Sequence, residues 1–222
     1  MRPAVSVLQL DTTFPRVAGD VACAQTYLSE IEIIRIPSAT VAQVVTGKPE
    51  TINITPFEAA SQRAKGDVVV TSCGFLSYWQ THLAAQCKKP FISSSLIALE
   101  RLAQDYSPDE LLIVTFDADS LNAAHLGAFA AYARSIIGLP EDNHLRRVIS
   151  GDLSELDTER ACQEISDFVA AHITPKHRHI LHECTNLPPY KAALRARTGV
   201  PVSDILTLIE RARAGSVSPD FL

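Results

Sequence analysis

Two similar stretches decide the fold: Val68-Val-Val-Thr-Ser-Cys73 and His179-Ile-Leu-His-Glu-Cys184. Each is a short aliphatic run that ends in a cysteine, and a helical pattern follows each cysteine. Short apolar runs of this kind favour buried strands. The sequence therefore predicts two strands that each carry a cysteine at the carboxyl end.

A second pair of stretches indicates that this arrangement is doubled. Ser6-Val-Leu-Gln-Leu-Asp11 and Leu112-Ile-Val-Thr-Phe-Asp117 are both apolar and end in an acid. Short strand patterns alternate with longer helical patterns along the chain, which predicts parallel sheets covered by helices on both faces. We infer an internal duplication, with one α/β domain formed by residues 1–100 plus 201–222 and a second formed by residues 101–200.

Four less regular regions complete the predicted secondary structure. Asp20 is expected to cap a helix that ends near Tyr27. The polar stretch from Ser38 to Thr55 predicts a loop. A helix is predicted from Asn122 to Arg134, and a weak strand from Arg147 to Ser150.

The composition limits the classes of function. The 222 residues are 46% hydrophobic and 20% charged with a net charge of −5, which is typical of a globular protein and gives no basic surface for nucleic acid. The apolar runs fall short of the roughly 18 residues that span a bilayer, and the N-terminus predicts no secretory signal. We therefore expect a cytoplasmic protein whose five cysteines, without CxxC spacing, are free thiols.

Position makes two of the cysteines candidates for catalysis. In open α/β sheets, ligands bind beyond the carboxyl ends of the strands, where Cys73 and Cys184 are placed. A helix start there can bind a carboxylate, and it lowers a thiol pKa below the usual value of about 8.5. If the duplication brings the two sulfurs together, a thiolate can remove a proton from one face of a carbon while a thiol protonates the other. Cys23, Cys87 and Cys162 lie on helical patterns and are interpreted as small buried hydrophobes.

A cluster of histidines leaves two alternatives open. His177, His179 and His182 precede Cys184 and could be part of a zinc site with it. Strand alternation, however, places His182 and Cys184 on one face and His179 on the other. His182 could instead pair with Cys184, as in a thiol hydrolase.

Three motifs together resemble the aspartate/glutamate/hydantoin racemase superfamily: Asp11-Thr-Thr-Phe-Pro-Arg-Val-Ala-Gly-Asp20, Thr71-Ser-Cys-Gly-Phe-Leu76 and Glu183-Cys-Thr-Asn-Leu-Pro188. The resemblance covers essentially the whole chain. It implies two similar flavodoxin-like domains related by a pseudo-twofold axis, with the active site in the cleft between them. It also implies no pyridoxal phosphate, metal or other cofactor, a small carboxylate-bearing substrate such as an amino acid or hydantoin, and, by analogy, a homodimer.

The resemblance also assigns roles to residues. It makes Cys73 and Cys184 the acid and base of a racemase or epimerase, and Thr185 a residue that holds the substrate carboxylate. Asp11 and Thr12 resemble the Asp-Ser pair that lies beside the first cysteine in glutamate racemases. Asn186 stands where glutamate racemases carry a His. The other expected binding residues are Arg16, Thr71, Ser72, Gly74, Phe75, Ser93 and Ser94.

One departure from the superfamily bears on the substrate. Gly74-Phe75 stands where glutamate and aspartate racemases carry Asn-Thr. We therefore expect backbone N–H groups, or Thr71 and Ser72, to bind the substrate carboxylate on this side. Phe75 indicates a more apolar pocket. An isomerase or decarboxylase of a small carboxylic acid, and a binding protein without turnover, remain alternatives to the racemase.

Overall fold

The computed structural model describes residues 3–222 and contains two parallel four-stranded sheets. The first sheet has the order β2-β1-β3-β4 and the second the order β6-β5-β7-β8. The strands are β1 (Val5–Gln9), β2 (Ile31–Arg35), β3 (Val68–Thr71), β4 (Phe91–Ile92), β5 (Leu111–Thr115), β6 (Ile136–Gly138), β7 (His179–His182) and β8 (Val202–Ser203). The same order in both sheets confirms the predicted α/β fold with a doubled arrangement.

Helices cover the sheets. They are α1 (Val41–Val44), α2 (Thr55–Arg63), α3 (Gln80–Gln86), α4 (Leu99–Asp105), α5 (Ala123–Leu126), α6 (His144–Gly151), α7 (Thr158–His172), α8 (Lys191–Thr198) and α9 (Ile205–Ala212). Short 3-10 turns precede several of them, including Gly74–Trp79 before α3 and Pro188–Tyr190 before α8.

Strand alternation divides the core. Leu111 and Ile113 of β5 belong to one buried cluster, while Leu112 and Val114 of the same strand belong to another. Because successive side chains of a strand point to opposite faces, each sheet buries apolar residues on both sides. This explains why the central strands are almost continuously apolar in the sequence.

Four regions differ from the sequence-based prediction, and the first two are the segment after Asp20 and residues 147–150. The residues after Asp20 form a loop with a single 3-10 turn, Ala24–Thr26, because Asp20 accepts a hydrogen bond from the N–H of Ala22 in a local turn. Arg147 to Ser150 lies in helix α6, whose apolar residues recur at helical spacing, and the strand of that region is β6 instead.

The helix predicted from Asn122 to Arg134 is interrupted. Only α5 is α-helical, and a 3-10 segment from Gly127 to Ser135 continues it. Gly127 has φ of +54°, a conformation that breaks a regular helix and that glycine adopts readily. The predicted loop at residues 38–55 contains α1 and the 3-10 turn Pro49–Thr51.

The last segment of the chain contacts both sheets. Strand β8 pairs with β7 of the second sheet, whereas Ile205, Leu206 and Ile209 of α9 pack against the first. The division into residues 1–100 plus 201–222 and residues 101–200 remains a prediction. None of the helices in the described part of the chain combines the length and apolar character needed to cross a lipid bilayer.

Candidate active site

The two sheets present their carboxyl ends to one shared cavity. Cys73 lies two residues beyond β3 and Cys184 two residues beyond β7, and both thiols line this cavity. Both cysteines are buried, with 8% and 7% of their surface exposed. The other lining residues are Leu10, Phe14, Arg16, Val41, Val45, Ser72, Gly74, Phe75, Phe116, Ile149, Glu183, Thr185 and Asn186.

Hydrogen bonds fix the two cysteine loops to each other. The Thr185 hydroxyl donates to the carbonyl oxygen of Ser72 at 2.7 Å, and the Ser95 hydroxyl donates to the carbonyl oxygen of His182, also at 2.7 Å. Both bonds are buried and join segments from opposite sheets. They hold the backbone on either side of the cavity in register.

A polar chain runs from Arg16 to Cys184. The Arg16 guanidinium donates to Asp20 and to the Thr12 hydroxyl, at 3.2 and 3.1 Å, and stacks over the Phe14 ring at 4.3 Å. Asn186 donates to the same Asp20 carboxylate and accepts a hydrogen bond from the thiol of Cys184. Arg16 is therefore held in place at the cavity wall, with its charge balanced by Asp20.

Five of the residues predicted from the sequence do not line the cavity. Asp11 binds Arg35 at 2.6 Å and the N–H of Ser38, and these bonds lower the pKa of its carboxyl group. The contact expected between Asp11 and Cys73 is therefore replaced by an ion pair elsewhere. The other four are Thr12, Thr71, Ser93 and Ser94.

Those four residues make hydrogen bonds that position the lining residues and the neighbouring turns. Thr12 positions Arg16, and the Thr71 hydroxyl donates to the carbonyl oxygens of Ser93 and Cys73. Ser94 accepts a hydrogen bond from the N–H of Leu96 and caps the turn that leads into α4.

The thiols are not activated in the expected way. Burial raises the pKa of Cys73 to about 12 and also raises the pKa of Cys184, and the nearby Glu183 adds to both shifts. The expected α-helix start is also missing after both cysteines, since 3-10 turns come first and α3 and α8 begin only at Gln80 and Lys191. Arg16 acts in the opposite direction on Cys73 and favours its thiolate.

The histidine alternatives find no support in the geometry. The thiol of Cys184 donates to Asn186, and His182 is fully buried with neither ring nitrogen hydrogen-bonded to any described residue. Burial lowers the pKa of His182 to about 4. His179 instead contacts Ser203 at 2.8 Å, and residues 3–222 hold no cluster of three or more His, Cys, Asp or Glu suited to a metal ion.

Several lining residues were missed in the sequence, and the internal repeat carried a signal for one of them, because Glu183 is the counterpart of the predicted Ser72 beside the other cysteine. Leu10 and Phe116, which hold equivalent positions after β1 and β5, were both missed. Phe14, Val41, Val45 and Ile149 reach the cavity from loops and helices, where no comparable pattern marks them.

The fold and the paired cysteines define a class: a two-sheet α/β protein with two thiols in one cleft. Solved structures share this fold. Allantoin racemase from Pseudomonas fluorescens matches 96% of this chain and 93% of its own with a TM-score of 0.61 at 16% identity. Unliganded arylmalonate decarboxylase matches 99% and 96% with a TM-score of 0.57 at 13% identity. The chain thus has the fold of the aspartate/glutamate/hydantoin racemase superfamily, as its motifs predicted.

Sequence comparison points to a different activity. The chain is 30% identical over 237 residues to dimethylsulfoniopropionate lyase 5 of Emiliania huxleyi strain CCMP1516, an alignment that covers 99% of this chain and 47% of that protein. A dimethylsulfoniopropionate lyase of Durusdinium sp. clade D is 26% identical, over 91% of this chain and 71% of its own. The chain spans about half the length of the first curated relatives it matches. No protein-family model matches it.

Proposed function

We propose that this chain is a lyase that removes a proton from the carbon next to a carboxylate and expels a thioether, with dimethylsulfoniopropionate as the first candidate substrate. The observation that carries the proposal is the meeting of two thiols, one guanidinium and three phenylalanine rings in one cavity. The relatives named as dimethylsulfoniopropionate lyases support it, because they align with nearly the whole chain.

The two cysteines are not equivalent. Arg16 favours the thiolate of Cys73, whereas burial, Glu183 and Asp20 disfavour the thiolate of Cys184, whose thiol donates a hydrogen bond to Asn186. We assign Cys73 as the base and Cys184 as the thiol opposite it. We place the substrate carboxylate beside Arg16, which is already paired with Asp20 and is the one cationic side chain among the described lining residues.

The apolar walls favour a sulfonium over an ammonium group. An ammonium ion brings N–H donors that need acceptors, and burying them without partners is costly. A sulfonium carries positive charge without any N–H, and aromatic faces attract such cations. Phe14, Phe75 and Phe116 provide rings in the cavity, although Arg16 already stacks on Phe14 and Arg146 lies 5.7 Å from the Phe116 centroid.

The reaction balances without a co-reactant. The Cys73 thiolate takes a proton from the carbon next to the carboxylate, and that C–H electron pair forms a double bond to the neighbouring carbon. The C–S bond breaks, and its electrons leave with neutral dimethyl sulfide. Acrylate remains, Cys73 is left as a thiol, and one proton must leave the site for solvent before the next turnover.

Headspace gas chromatography of the purified protein with dimethylsulfoniopropionate tests the proposal. We expect dimethyl sulfide from the native protein and its loss, by at least 100-fold, in Cys73→Ser. Cys23→Ser is the matched control, since Cys23 is equally buried but does not line the cavity. Absence of dimethyl sulfide from the native protein across pH 6 to 9 contradicts the proposed substrate.

Racemisation is the second candidate, because the cavity presents two thiols and elimination needs only one base. In a two-base racemase, Cys184→Ser should abolish inversion as fully as Cys73→Ser, whereas in the lyase it should lower turnover less. Polarimetry with allantoin, aspartate and glutamate, together with deuterium incorporation from D₂O, separates the two activities.

A further inference from the structure

Glu183 is a buried carboxyl group that the proposed reaction leaves without a role. It is 1% exposed, it lines the cavity with both thiols, and its Oε2 accepts a hydrogen bond from the Thr115 hydroxyl at 2.6 Å. Its Oε1 has no hydrogen-bond partner, and no Lys, Arg or His of residues 3–222 forms an ion pair with it. A buried carboxyl group without a cation is costly to ionise, so such groups call for an explanation.

Gly74 makes room for this carboxyl group. A β-carbon at Gly74 would lie 2.0 Å from Oε1 and 2.8 Å from Cδ of Glu183. The carboxyl group therefore packs directly against the residue that follows Cys73. This contact also explains the departure from the racemase motif at Gly74, because a larger residue there and Glu183 cannot occupy the same space.

We propose that Glu183 carries the negative charge of the resting site and accepts the proton of Cys73 when the thiolate forms. In this step the S–H bond of Cys73 breaks and an O–H bond forms on Glu183, so that the charge moves from oxygen to sulfur. Glu183 acts through the thiol and is a positioning residue, not one that touches substrate. The inference rests on the proposed function and assigns the proton that the base must lose.

The charges that face Glu183 agree with this order of ionisation. Burial raises the pKa of Glu183 to about 7, with Thr115 opposing the shift, while the pKa of Cys73 lies near 12. The charge of Glu183 disfavours both thiolates, Arg16 favours that of Cys73, and Asp20 disfavours that of Cys184. In neutral solution the carboxyl group therefore ionises before either thiol.

The cycle closes with the proposed elimination. After proton transfer to Glu183, the Cys73 thiolate takes the substrate proton and becomes a thiol again. The site then holds a neutral carboxyl and a neutral thiol, and loss of one proton from Glu183 to solvent restores the resting state. One proton leaves for each acrylate and dimethyl sulfide formed, as the overall reaction requires.

Alkylation of the thiols without substrate tests this assignment. Iodoacetamide reacts with thiolates, so its rate at each cysteine, followed by peptide mass mapping from pH 6 to 10, reports their ionisation. In Glu183→Gln, which keeps an oxygen to accept from Thr115 but loses the charge, we expect Cys73 and Cys184 to react about tenfold faster at pH 8. Cys23 is the internal control and should not change.

An unchanged pH profile at both cavity cysteines in Glu183→Gln overturns the inference, and so does an equal change at Cys23. If this variant does not fold, titration of the native protein labelled with ¹³C at the glutamate δ-carboxyl replaces it. One resonance should titrate near pH 7, and Thr115→Val should move its midpoint upward, because the Thr115 hydrogen bond lowers that pKa. A midpoint for that resonance near 4.5 also overturns the inference. Neither experiment uses turnover, so a failed lyase assay and a failed thiol assay are distinguishable.

Discussion

The carboxyl group of Glu183 occupies the space that a side chain at Gly74 would need. A β-carbon there would lie 2.0 Å from Oε1 of Glu183 and 2.8 Å from its carbonyl oxygen. The two positions are therefore complementary, and a change at one alters what the other can accept.

Gly74→Ala should destabilise the protein by about 1 to 3 kcal/mol, the usual cost of overpacking a buried site. In a Glu183→Ala background the same change should cost less, but not nothing, because the clash with the carbonyl oxygen remains. Urea unfolding of the two single variants and the double variant measures the coupling. Gly47→Ala, which meets nothing closer than 3.5 Å, is the matched control. Additive effects of the two changes would contradict the packing argument.

The raised pKa of Glu183 predicts a pH-dependent stability. Its pKa lies at about 7 in the folded chain and near 4.5 when unfolded, so the folded state holds the proton more tightly. The stability linked to this proton is fully present below the unfolded pKa and is lost as pH rises to about 7. Relative to Glu183→Gln, the native protein should therefore lose up to about 3 kcal/mol across this window.

Urea unfolding at intervals from pH 4.5 to 8 measures this difference. Glu110→Gln provides a control that should stay flat over this range, because hydrogen bonds from Ser107 and Arg178 lower the pKa of Glu110 to about 2. Its contribution is fully present above pH 4.5 and is lost only as pH falls below that value. A difference in the free energy of unfolding between the native protein and Glu183→Gln that does not change with pH would contradict the prediction.

The Thr185 hydroxyl should matter for its hydrogen bond more than for its volume. Thr185→Val keeps the shape but leaves the buried carbonyl oxygen of Ser72 without its donor, which costs about 1 to 3 kcal/mol. Thr185→Ser retains the hydroxyl and should lose far less of that amount. Thermal unfolding of the two variants decides the matter, and equal losses would mean that the methyl contact is what counts.

The buried ion pair between Lys191 and Asp204 predicts a large loss on truncation. Nζ of Lys191 and Oδ2 of Asp204 lie 2.8 Å apart, and the two side chains are 2% and 0% exposed. The two atoms form an ion pair, but their angles do not meet those of a hydrogen bond. Lys191→Met leaves an uncompensated buried carboxylate and should cost about 3 to 5 kcal/mol.

The exposed pair Arg101–Asp105 is the comparison for that substitution. Its side chains are half exposed, so Arg101→Met should change the free energy of unfolding by about 1 kcal/mol or less. Chemical denaturation of both variants in one buffer gives the contrast, and similar losses would show that burial of the Lys191 pair has no special weight.

Sequence alone predicted the parts of the site that depend on local pattern. Cys73 and Cys184 follow strands with clear apolar runs, so their position at the strand ends could be predicted, and the repeat predicted that the two ends are equivalent. Asp11 lies at the same kind of strand end, yet its side chain pairs with Arg35 from a neighbouring strand. That choice of partner is made by tertiary contact and leaves no local signal.

The same distinction explains the misplaced elements and the thiol chemistry. Arg147 to Ser150 is short enough to fit either a strand or a helix pattern, and its packing against the second sheet decides for the helix. The expected fall in the thiol pKa assumed a helix start and an open cleft. The raised pKa of Cys73 comes instead from full burial and from Glu183, which the linear sequence does not reveal.

The two hydrogen bonds that join segments of the two sheets, from Thr185 to Ser72 and from Ser95 to His182, make each half of the molecule incomplete alone. Either half expressed separately would keep one sulfur and leave a main-chain acceptor facing an empty surface. We therefore expect the intact chain to unfold cooperatively, in a single calorimetric transition. A mixture of the two fragments should show that transition only if they associate through the hydroxyl groups of Thr185 and Ser95.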